Sequence, residues 1–161
     1  MIQKELLTVL NKKSYTPEQF KRKFCGKKIG EGCYRTVYEF KLDSRWVVKI
    51  EGENTEWCNI TEWMNWWNNK TWTNLTNFLA PCLFISSGGH ILIQRKVKKK
   101  HIKYYPSEIP SLFTDRKYGN FGWIGKRFVC HDYAYLVLTN IKMSKAKWWG
   151  KDDENYKKSI K

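Results

Sequence analysis

Residues 112–138, LFTDRKYGNFGWIGKRFVCHDYAYLVL, space three side chains able to hold a hard cation: Asp115, Asn120 five residues later, and Asp132 twelve after that. Residues 121–124 are aromatic and β-branched, Gly125-Lys126 supplies a turn and residues 127–131 return. The stretch therefore predicts a hairpin that carries Asn120 and Asp132 back beside each other. A carboxylate and an amide oxygen so placed suit Mg²⁺, which keeps its other positions for water and phosphate. Asp115 is then left to face an incoming hydroxyl. The plainer reading of the same residues is that Asp and Asn cap turns beside strands.

The elements that must position these groups begin at residue 27. KKIGEGCYRTVYEFKLDSRWVVKIE alternates and is rich in β-branched and aromatic residues, which predicts antiparallel strands over 27–31, 34–41 and 46–51. Gly30-Glu31-Gly32 falls between the first two strands. Lys49 sits in an otherwise apolar strand, where it either points outward or is paired, because burying an unpaired ammonium is too costly. A helix near 55–69 follows, capped by Asn54 or Thr55, and Trp57, Ile60, Met64 and Trp67 recur along it at three- and four-residue steps. Such a stripe is expected to pack into the core, with Glu62 beside it. Strands over 82–86 and 90–97, joined by Ser87-Gly88-Gly89, bring the total to five. Ahead of the sheet, Ile2, Leu6, Leu7 and Leu10 share a helical face, and Thr16-Pro17-Glu18-Gln19 offers an N-cap, a first-turn proline and a capping-box Gln. Two short helices are expected there. Residues 98–106, KKKHIKYYP, suit either a solvated linker or a phosphate-tracking groove with stacking aromatics. Residues 142–161 read as helical to frayed.

Composition bounds the partners. Thirty Lys and Arg against 15 Asp and Glu give +15 over 161 residues, a charge that favours polyanions: nucleotide phosphates, nucleic acid, acidic proteins or an anionic membrane surface. A charged share of 28% beside an aromatic share of 16% excludes a disordered chain and fits one domain. The five cysteines, Cys25, Cys33, Cys58, Cys82 and Cys130, lack C-x-x-C or zinc-ligand spacing and read as buried thiols in a reducing compartment. No apolar run approaches the ~18 residues of a membrane span, and no leader is evident, so a cytoplasmic location is expected. The N-x-T sequons at Asn59, Asn69 and Asn74 are then accidental.

In order along the chain, these signals resemble the protein-kinase-like fold. Gly30-x-Gly32 resembles its glycine-rich loop, with Arg35 where the third glycine would stand; Trp46-Val47-Val48-Lys49 is similar to V-A-I-K; Asp115-x4-Asn120 resembles the catalytic loop; and Asp132-Tyr133-Ala134 stands in place of D-F-G. RTVYEF, NITEW, GNFGW and HDYA look like small kinase-like proteins of tailed bacteriophages, which would place this chain in a host cytoplasm. The resemblance implies an α+β fold: a five-stranded N-lobe over 27–97 with one inserted helix, a helical extension over 1–26, and a much reduced C-lobe over 98–161. It implies ATP and Mg²⁺ as cofactors. Lys49, paired with Glu62, would clasp the α- and β-phosphates under Gly30 and Gly32, Asn120 and Asp132 would hold the metal, and Gln94-Arg95-Lys96-Val97 would read adenine with its backbone. Asp115 would deprotonate the acceptor, and Lys117 could neutralise the transferring phosphate.

Departures accompany the likeness. Phe113-Thr114-Asp115 replaces His-x-Asp, Ala134 replaces a glycine, only 17 residues separate Val97 from Asp115, and 29 follow Asp132. A large helix supporting the catalytic loop and a peptide-binding subdomain are not expected in that space. The expected activity is phosphoryl transfer to an acceptor such as a protein. The competing expectation is a catalytically inactive scaffold that grips a nucleic acid or an acidic host protein through its basic surface.

Overall fold

The structure, a computed structural model, describes residues 3–72, 74–136 and 142–150. It is an α+β fold in which three α-helices among the described residues accompany a five-stranded antiparallel sheet. Helices α1 (Gln3–Asn11) and α2 (Pro17–Phe24) come first, followed by β1 (Cys25–Glu31), β2 (Arg35–Phe40), β3 (Trp46–Glu51), α3 (Cys58–Trp72), β4 (Cys82–Ile85) and β5 (Ile91–Arg95). Strand order is β1-β2-β3-β5-β4, with every neighbouring pair antiparallel. Strand β3 is central and buried along its whole length.

Strand alternation divides β3 between two cores. Val48 and Ile50, with Ile91 and Ile93 of β5, face Leu6, Leu10, Phe20 and Phe24 of the two leading helices. Helices α1 and α2 therefore cover one sheet face, and α2 starts with the capping box expected at Thr16 and Gln19. The opposite face, which includes Leu92 and Cys82, shares a second core with Leu75, Leu79, Tyr105, Phe113, Phe121, Val129 and Tyr133.

Helix α3 departs from its expected orientation. Trp57, Met64 and Trp67, read as a core stripe, are 48%, 53% and 54% exposed, while Cys58, Asn59, Glu62, Asn65 and Asn69 are buried. Polar partners decide the face. Asn59 Nδ2 donates to the carbonyls of Lys49 and His90, and Asn65 Nδ2 donates to the carbonyl of Tyr133, so the inward polar groups are satisfied. At the helix start Thr55, one of the two expected caps, accepts from the Trp57 N–H at 3.1 Å, and Glu51 on β3 adds an unexpected acceptor for the Asn59 N–H at 2.6 Å and the Thr55 hydroxyl at 2.8 Å.

Beyond β5 the chain forms β6 (Glu108–Pro110), the hairpin β7 (Phe121–Ile124) and β8 (Arg127–Cys130), and β9 (Met143–Lys145). The hairpin turns at Gly125 with φ 61°, as expected for a turn residue. Residues 143–145 are not helical; they pair with β6 because Arg116 is drawn across them, donating to the Lys145 carbonyl and the Ser144 hydroxyl. Residues 134–136 join no helix or strand, and the remainder of 134–138 and of the terminal segment, 137–138 and 151–161, lies outside the described residues. The space too short for a supporting helix holds an aromatic cluster instead, with Tyr105, Phe121, Phe128 and Trp148 at centroid separations of 4.7 to 5.6 Å.

Smaller expectations divide. Cys25, Cys58, Cys82 and Cys130 are buried, but Cys33 is exposed in the turn between β1 and β2. Asn59 and Asn69 are buried, so neither sequon is open to glycosylation, and the side chain of Asn74 lies outside the described ones. No helix among the described residues is long and apolar enough to cross a membrane.

Candidate active site between the sheet and the β7–β8 hairpin

Strand β3 presents Lys49 on the face opposite Val48 and Ile50, and there its ammonium, 3% exposed as a residue, meets Glu62 of α3. Lys49 Nζ and Glu62 Oε2 are 2.7 Å apart. The same ammonium donates to the carbonyl of His131, so the strand, the helix and the segment after β8 meet at one point. Glu62 has no exposed surface and accepts three further hydrogen bonds, from Arg35 Nη2 at 3.0 Å, the Tyr133 N–H at 3.0 Å and Gln94 Nε2 at 3.4 Å. Burial works to raise its carboxyl, but the charges of Lys49 and Arg35 outweigh burial and hold it at about 2.

Arg35, at the start of β2, is the group that residue types alone did not assign to the site. Its Nη2 also donates to Asp132 Oδ1 at 2.6 Å, and Nη1 donates to Asn59 Oδ1 at 3.4 Å. Burial disfavours the guanidinium charge, yet Glu62 and then Asp132 more than compensate and raise its pKa. Its one sequence signal is its occurrence where a third loop glycine would stand. Asn59 and Asn65 were likewise missed: each occurs among tryptophans in α3, and only the fold shows that they face inward.

A cleft of about 520 Å³ opens beside this cluster, and it is lined by seven of the eight residues singled out by sequence: Gly30, Gly32, Lys49, Asp115, Lys117, Asn120 and Asp132. The eighth, Glu62, lies behind Lys49. Neither Gly30 nor Gly32 has a positive φ, and a Cβ added to either would meet no atom closer than 3.8 Å. Local packing therefore does not require these glycines; their effect is to leave the roof of the cleft bare. On the floor, Asn120 Nδ2 donates to Asp115 Oδ2 at 2.7 Å, and Asp115 is exposed to the cleft. The hairpin brings Asn120 next to the third segment as expected, the His131 N–H donating to the Asn120 carbonyl at 2.9 Å.

The buried cysteines near the cleft are poor nucleophiles, while Cys33, which also lines it, is exposed. Burial pushes the Cys82 thiol up to about 12 and the Cys130 thiol well above its ordinary range. Burial, followed by the Lys99 charge 3.1 Å away, keeps the His131 imidazole neutral.

Two expectations need correction. The backbone of the segment after β5 is committed elsewhere: the Arg95 N–H donates to Pro81, Lys96 to Arg45, and Lys98 and Trp123 to each other. Val97 is also pressed by Gly122, where an added Cβ would lie 2.7 Å away. No residue from 94 to 97 lines the cleft, so adenine recognition by that backbone does not fit. Asn120 and Asp132 are also not the bare ligand pair expected, since a cation already stands on Asp132. Arg35 holds Asp132 at Oδ1, and Asn120 donates its Nδ2 to Asp115.

A cavity of about 480 Å³ over Leu10, Tyr15, Phe20 and His90 has no carboxylate among its lining residues and carries none of this chemistry. Compared with known proteins, the chain matches no family model and no curated protein sequence.

Proposed function

We propose that the cleft binds the phosphates of a nucleoside triphosphate such as ATP in a minimal kinase-like scaffold, and that its reaction is phosphoryl transfer to a hydroxyl. The observation that carries this reading is the buried Lys49–Glu62 pair, 2.7 Å apart, facing a cleft shared with Asp115. A lysine fixed by a buried carboxylate is a pre-positioned counter-charge for phosphate, and phosphoryl transfer is chiefly positioning and charge neutralisation. Gly30 and Gly32 leave backbone exposed above the phosphates. The acceptor oxygen attacks the terminal phosphorus as the bond to the bridging oxygen breaks; the nucleoside diphosphate leaves, and the acceptor proton passes to Asp115. Lys117 lies on the same cleft wall to meet the charge on the moving group. Asp115→Asn should abolish transfer of labelled terminal phosphate to any hydroxyl acceptor while sparing nucleotide affinity. Equal transfer by mutant and wild type would remove Asp115 from the reaction.

A second reading, an inactive scaffold that grips nucleic acid or an acidic protein, is favoured by the Arg35–Asp132 ion pair together with the charge of +15. Its signature is affinity that falls steeply with salt and ignores substitutions in the cleft.

A further inference from the structure

Asp132 is the carboxylate a divalent cation would need, and a resident cation already holds it. Arg35 Nη2 stands 2.6 Å from Asp132 Oδ1 and 3.0 Å from Glu62 Oε1, with the arginine side chain only 10% exposed. Asn120, the other expected ligand, donates its Nδ2 to Asp115, so its amide is oriented by that carboxylate. Two cations, Arg35 and Lys49, face two carboxylates, Glu62 and Asp132, so the cluster is neutral without metal. To bind Asp132 through Oδ1, a metal ion would have to displace a guanidinium that also bonds the fully buried Glu62 and reaches Asn59, and through Oδ2 it would share one carboxylate with that fixed positive charge. Arginine is suited to this place because it cannot be deprotonated and presents several donors in one plane.

We propose that Arg35 supplies in this cleft the positive charge that a divalent cation supplies elsewhere, so that the site takes a nucleoside triphosphate free of metal. This rests on the nucleotide-binding reading above. It also explains how a bulky residue is accommodated at the start of β2: the Arg35 side chain is drawn away from the bare glycine roof toward α3 and the segment after β8. There it ties the sheet to Asp132 across 97 residues of chain.

The test is calorimetric titration of the full chain with a non-hydrolysable ATP analogue at ~150 mM salt, once with EDTA and once with excess Mg²⁺. The inference expects binding at least as tight in EDTA as in Mg²⁺. It expects Asp132→Asn to bind the metal-free analogue as tightly as wild type or up to roughly threefold tighter, the effect of removing one charge about 6 Å from phosphate in water. Arg35→Ala should weaken binding in EDTA, with Mg²⁺ restoring it by occupying the vacated carboxylate; should that variant fail to fold, Asp132→Asn still decides. Binding that requires Mg²⁺, or a tenfold loss in Asp132→Asn, overturns the inference and leaves the nucleotide reading standing. An absence of binding in both arms overturns both.

Discussion

Glu62 accepts four hydrogen bonds, two from buried cations, without any exposed surface. Removing it would leave the buried Lys49 without its counter-charge and Arg35 with Asp132 alone, so Glu62→Ala should destabilise the fold by about 3–5 kcal/mol, the usual cost of breaking a buried pair from one side. Urea denaturation measures this; a loss below about 1 kcal/mol would show that the pair relaxes into water. The same carboxylate sets an acid limit. Its pKa is depressed to about 2 in the folded state from an ordinary 4.5, so the unfolded chain binds the proton first as pH falls. Its stabilisation is complete above about pH 5 and is lost progressively toward pH 2. In Glu62→Gln, that portion of the acid-induced loss should be absent. At this scale the sequence is informative about charge and silent about partners. A lysine within Trp46-Val47-Val48-Lys49 had to be paired if buried, and Glu62 was within helical reach, but nothing local to Arg35 marks its choice of Asp132, because that contact exists only once the hairpin has folded back under the sheet.

The elements were legible where periodicity is strong and misleading where buried polar groups reverse it. Strand β3 spans Trp46–Glu51, as its apolar run predicts, and the capping box at Thr16 starts α2. Helix α3 has the right place but the wrong face, because a hydrophobic stripe normally points inward, whereas here Asn59, Glu62 and Asn65 do so to serve the Lys49 and Tyr133 segments. Strand β9 escaped notice because a three-residue strand has too little pattern to read. Helix α3 is also fitted closely to the β4–β5 turn: Gly89 has φ +74°, and a Cβ there would lie 2.5 Å from the Ile60 side chain. Gly89→Ala should therefore cost about 1–3 kcal/mol from strain and overlap together. Thermal melts of Gly89→Ala alone and with Ile60→Ala separate the two: partial recovery in the double variant shows overlap, and no recovery assigns the whole loss to φ.

At the scale of the molecule, two cores lie on opposite faces of the sheet, and a charged seam borders the second. One joins the leading helices to the sheet, the other joins the sheet to the hairpins, and Lys49, Glu62, Arg35 and Asp132 tie the sheet to α3 and to the segment after β8 on the side of the second core. The cleft beside that seam offers contacts for phosphates, while residues 94–97 do not line it. ATP and GTP should consequently bind within about threefold of each other, a difference of less than 1 kcal/mol; a preference of a hundredfold, read by competition titration, would require a base pocket. The central claim is that the cleft, and not the basic surface at large, takes the nucleotide. Ligand-induced thermal stabilisation at ~150 mM salt tests it most directly, since a folded-state ligand at a hundredfold excess over Kd adds roughly 2.7 kcal/mol, or about 5–10 °C for a chain of this size. The account predicts a shift of that size with ATP, lost in Lys49→Met, and a heparin shift that Lys49→Met leaves unchanged. Heparin matching ATP, with Lys49→Met altering neither, would contradict it and make the basic surface the binding site.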